Sequence, residues 1–180
     1  SHASTQLEPS PRIDSATRQK TIAQLLESAR TCMEGEEFLL GLQKIQEVLQ
    51  LDPENVGALA MRKTIEVRRN EHKVEEWLQL ARRHLENNAF SHAKDALANI
   101  LKIAPADATA FQLLSETERR EQDYLRARKE KEELYRSALA AWKSGEVSSA
   151  LTKLDRIVDL DRKVPDASDT ASSISYQNFY

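Results

Sequence analysis

Between residues 77 and 105, Trp77, Leu80, Ala81 and His84 recur at helical spacing and form one stripe. Asn87 and Asn88 follow, residues that are poor in helices and favour turns. A second stripe, Ala93, Leu97 and Ile100, ends at Ala104-Pro105, because proline disfavours helix in the residue before it. The pattern predicts two helices joined by a tight turn, with Ala81 and Ala93 small enough to let the backbones approach. It recurs along the chain. Fifty-two residues earlier stand Leu25, Ala29, Phe38, Gly41, Ile45, Val48 and Pro53, with Gly35 at the turn. Fifty-seven residues later stand Leu134, Ala138, Val147, Ala150, Leu154 and Ile157, with Gly145 at the turn. Three helix pairs follow, at about 14–53, 54–105 and 106–162.

The polar, proline-containing residues 1–13 read as a flexible linker or leader. Asp14 or Ser15 caps a helix to residue 34, Gly35 supplies its left-handed stop, and a second helix spans 37–51. Asp52-Pro53 opens the next, with Pro53 in its first turn and Glu54 favourable against the dipole. Residues 58–87 and 107–143 contain no proline or glycine, so each predicts one long helix. Residues 166–180 begin like the earlier long helices and read as the start of a truncated further one.

The stretch 77–105 resembles the tetratricopeptide repeat (TPR), whose signature is W-x2-L-G-x2-Y, then A-x3-F, then P. Ala81 stands for the glycine, His84 for the tyrosine and Leu97 for the phenylalanine. The resemblance implies an all-α, TPR-like helical repeat, an α-solenoid with long inter-repeat helices. A standard repeat is about 34 residues. The spacing of 52 adds 18 residues, about five whole turns, so the apolar stripe is expected to re-enter in phase. The spacing of 57 adds 23, about 6.4 turns, and predicts a bend, bulge or break in the helix of 107–143.

Four glycines, 6% aromatic and 31% charged residues suit a solvated helical protein. The net charge of −3 and pI near 5.9, with no basic stripe, argue against nucleic acid or anionic lipid as partner. No apolar run is long enough to span a bilayer and residues 1–20 hold no signal-peptide core, which favours a cytoplasmic location. Oligomeric state is not encoded in any pattern here. Residues 118–133 carry six acidic and six basic side chains, with Glu116–Arg120, Arg126–Glu130, Arg128–Glu132 and Lys129–Glu133 four apart. They read as a solvated spacer helix, with a projecting charged arm that contacts a partner as the alternative.

Chemistry-bearing motifs are sparse. His84 and His92 lie on successive helices and are placed to approach, but no cysteine or paired carboxylate completes a metal set, so no metal or cofactor is expected. Cys32 falls on an inner stripe with no histidine in its pair to serve as base. Glu36-Glu37 and Glu132-Glu133 are neighbours that point to different helix sides, and the glycines never cluster into a phosphate loop. The chain is expected to be no enzyme but a scaffold for a protein or peptide partner.

In TPR proteins the first helices of successive repeats line a concave groove for partner segments. The resemblance places Leu26, Arg30, Met33 and Glu34 there from the first pair. Leu78, Arg82, Leu85 and Glu86 come from the second, and Tyr135, Leu139, Trp142 and Lys143 from the third. The family's carboxylate clamp, a lysine and an asparagine four residues apart, is absent, since Leu26/Arg30 and Leu78/Arg82 stand in its places. Apolar anchors with arginines suit an amphipathic or extended peptide. The same side chains are equally suited to burial against neighbouring helices. The chain also fits a regulatory or substrate-recruiting segment of a larger protein, such as the TPR tail of a bacterial protein kinase.

Overall fold

The computed structural model describes residues 14–163, which are all-helical, with six helices and no strand. The expectations for 1–13 and 166–180 lie outside the described residues. The chain divides into two compact units, with the boundary between Lys73 and Val74.

In the first unit, α1 (Ser15–Glu34) starts at Asp14, whose carboxylate accepts from the Thr17 amide at 2.8 Å. That bond holds the Asp14 carboxyl below the usual carboxylate range. The expected left-handed stop at Gly35 is corrected: Gly35 has φ −83°, and the left-handed residue is Glu36, with φ 60°. Its neighbour's amide then closes the turn, Glu37 N donating to Cys32 O at 2.8 Å. α2 (Phe38–Leu51) packs antiparallel to α1 around Ala29, Ile45 and Val48, all fully buried. Gly41 sits where three helices meet, and a methyl there would stand 3.3 Å from Ile65 Cδ1. α3 (Val56–Glu86) begins three residues later than expected. Pro53 and Glu54 form a turn before it, and Asn55 is the cap, its Oδ1 accepting from Ala58 N at 2.9 Å while its amide donates to Asp52.

The second unit repeats these devices. Asn88, 52 residues after Glu36, has φ 53°, and Ala89 N donates to His84 O at 2.8 Å. α4 (Phe90–Ile103) carries Ala93, Leu97 and Ile100 into the core; burying a side chain the size of Leu97 or Ile100 contributes about 1.5–3 kcal/mol. Asp107 caps α5 (Ala108–Lys143) by accepting from Ala110 N at 2.7 Å, as Asn55 does for α3. Gly145, φ 79°, leads through the same turn into α6 (Val147–Lys163), with Glu146 N donating to Ala141 O at 2.9 Å.

Both long helices run without interruption, so the break expected in α5 is not found. The mismatch is absorbed in the stripes instead. α5 buries Ala110 and Thr117 in its first half and Ala127, Lys131, Ala138 and Ala141 in its second. Ala110 to Ala138 is 28 residues, about 7.8 turns, so the buried stripe steps around the helix. α3 likewise gives Ala58 and Ile65 to the first core and Leu78, Ala81 and Leu85 to the second. A long helix is therefore the last member of one packing unit and the first of the next.

Candidate interaction surface

The starts of the long helices act as covers. In the first pair, Ala58, Met61 and Ile65 of α3 lie against Leu26, Met33, Phe38, Leu42 and Leu49 of α1 and α2. About two turns further on, the His72 ring meets Phe38 edge-on at 5.8 Å between centroids, and its Nε2 is 3.4 Å from the Glu36 carboxylate. In the second pair, Ala110, Leu113 and Leu114 of α5 close over Leu78, Leu97 and Leu101. Tyr124 then packs on Phe90 at 5.6 Å, and Leu113 and Tyr124 seal Leu85 and Ala93. Glu121 adds an ion pair to Lys94 at 2.7 Å. Ala58, Met61, Ile65 and His72 precede Ala110, Leu113, Thr117 and Tyr124 by 52 residues each, so the two covers are built to one pattern.

The third pair carries the positions that such a cover fills, and they are open among the described residues. Trp142 is 59% exposed, Val147 46%, Leu151 54% and Val158 36%. They follow Leu85, Phe90, Lys94 and Leu101 by 57 residues, and Leu85 and Phe90 are only 3% and 7% exposed. Trp142 and Val147 flank the Gly145 turn as Leu85 and Phe90 flank that of Asn88. Large apolar side chains grouped on one face of a helix pair are the signature of a contact surface.

A pocket of about 330 Å³ opens in the first unit, lined by Met33, Glu34, Glu36, Phe38, Arg68, Glu71 and His72. It lies at the turn end that Leu85, Phe90 and Tyr124 fill in the second pair. Its lining joins the apolar Met33 and Phe38 to the charged Glu34, Glu36, Arg68 and Glu71.

The residues expected in a groove are placed differently from one another. Leu78 and Leu85 are buried beneath α5, so they are core rather than surface. Leu26 and Met33 are half-buried under α3. Arg30 and Arg82 are exposed, and Arg30 pairs with Glu27 at 3.3 Å. Tyr135 and Leu139 are half-buried, and Trp142 is the most open of the set's apolar members. Val147, Leu151 and Val158 escape a search confined to first helices; the 57-residue register is the signal that finds them. His84 and His92 do approach, with ring centroids 5.2 Å apart. Cys32 is buried, and the described residues contain no group of three metal-ligating side chains. None of the described helices is long and apolar enough to cross a membrane.

The charged middle of α5 is more than a spacer. Lys131 is 1% exposed, with its ammonium 2.6 Å from the Asp161 carboxylate of α6. It occupies the place of Ile22 and Val74, 109 and 57 residues earlier. Glu130 reaches Arg156 across the same interface at 3.3 Å, while Arg126 turns to Asp123 at 3.6 Å.

Comparison with known protein families, with curated proteins and with solved structures finds no match.

Proposed function

We propose that the chain is a non-catalytic scaffold of TPR-like helix pairs that binds another polypeptide through the open α5–α6 face. The observation that carries this reading is the exposure of Trp142 and Val147, whose counterparts Leu85 and Phe90 are buried in the second pair and Met33 and Phe38 half-buried in the first. Trp142 is the anchor: a large, rigid aromatic surface loses little conformational freedom on binding and dominates interface energetics. Leu151 and Val158 extend the apolar strip along α6, and half-buried Tyr135 and Leu139 border it on α5.

Selection from a phage-displayed peptide library tests the reading. Peptides enriched on the full chain are expected to lose binding on a Trp142→Ser, Leu151→Glu double variant whose helical circular dichroism is unchanged. Enrichment that survives both substitutions would place recognition elsewhere.

A further inference from the structure

The first two helix pairs say what chemistry fits the third. Each is covered by a helix with a small residue, an aliphatic one three positions on, a β-branched one at seven and a ring at fourteen: Ala58, Met61, Ile65, His72, then Ala110, Leu113, Thr117, Tyr124. The β-branched members are fully buried, and the rings end on Phe38 and Phe90 across the turn. The small residue permits close approach at the start of the cover, and the ring closes the turn end about four helical turns away.

Resting on the proposed function above, we infer that the partner presents an amphipathic helix of this kind, small–x2–aliphatic–x3–β-branched–x6–ring, supplied by another polypeptide. It lies along α5–α6 with its ring against Trp142 and Val147. One difference refines the partner further. Lys94 takes Glu121 in the second pair, but Leu151 stands in the place of Lys94, so the partner position eleven after its small residue need not be acidic. An aliphatic residue or a long side chain lying flat serves there, since half-buried Arg69 holds that position in the first pair. The chain's own residues 164–180 match less well. In the 57-residue register they offer Ala167 and Ile174 but Thr170 where Met61 and Leu113 stand.

The probe is a dye-labelled peptide with the sequence of residues 106–125, titrated onto the full chain by fluorescence anisotropy. Saturable binding is expected, weakened about tenfold or more by Leu151→Glu in the chain and by Leu113→Glu in the peptide. No binding at peptide concentrations on the order of 1 mM, or binding indifferent to Leu151→Glu, overturns the inference. Binding that appears only after residues 164–180 are removed makes those residues the occupant. Self-association of the chain abolished by Leu151→Glu makes a second copy the occupant; either outcome overturns a partner in trans. If library peptides lacking this stripe bind and require Trp142 while the probe does not, the scaffold reading stands and the stripe fails.

Discussion

In the second helix pair Leu85 and Phe90 flank a left-handed turn and are almost wholly withdrawn from water; in the third, Trp142 and Val147 flank the corresponding turn and are about half exposed. The turns are alike in their hydrogen bonds, and the second helices alike in pattern. The difference comes from what lies on top. α5 brings Leu113 and Tyr124 onto the second pair, and among the described residues nothing is placed in that way on the third. The same local code thus gives a sealed core in one place and an open apolar face in the other.

Seven substitutions break or sharpen that comparison. The largest effect belongs to Phe90→Ala, which should cost about 3–5 kcal/mol in denaturant unfolding, against under about 0.5 kcal/mol for Val147→Ala. Equal losses would mean that Val147 is also covered. Ala81→Leu should cost about 1–3 kcal/mol by overpacking, since Ala81 is fully buried at the helix crossing; an unshifted thermal transition would contradict that packing. Asp161→Ala removes the carboxylate from the buried Lys131 ammonium and should cost about 1–3 kcal/mol. Lys131→Met, which restores the apolar character of Ile22 and Val74, should be tolerated far better, so unfolding curves in the reverse order would refute the assignment.

The smallest effect compares the turns themselves. Glu36 occupies a left-handed conformation where Asn88 and Gly145 are better suited, so Glu36→Gly should stabilise the chain by about 0.5–1 kcal/mol. Gly145→Ala should destabilise it by a similar amount through backbone strain alone, since a methyl there meets nothing within 4 Å. Matching signs for the two would remove the turn equivalence.

Much of this was legible beforehand. The recurring Ala29, Ala81 and Ala138, with Val48, Ile100 and Ile157, mark helix crossings because small and aliphatic residues at period 3.6 have few other uses. Asp14 reads as a cap for the same kind of reason. Glu36 did not, because the glycine beside it is the better left-handed candidate on intrinsic grounds and tertiary packing chose the next residue. Asn55 was hidden by Asp52-Pro53, an equally good helix opening. Lys131 was lost in a run of charge, and only its register with Ile22 and Val74 reveals a buried place. The openness of Trp142 could not be read from its own neighbourhood, because exposure depends on a cover supplied from elsewhere in the chain.

The most direct test of the account is acrylamide quenching of Trp142 in a Trp77→Phe chain, alone and with the 106–125 peptide. The account predicts strong quenching in the chain alone and protection as the peptide saturates. Protection already present without peptide, or quenching unchanged at saturation, would contradict it.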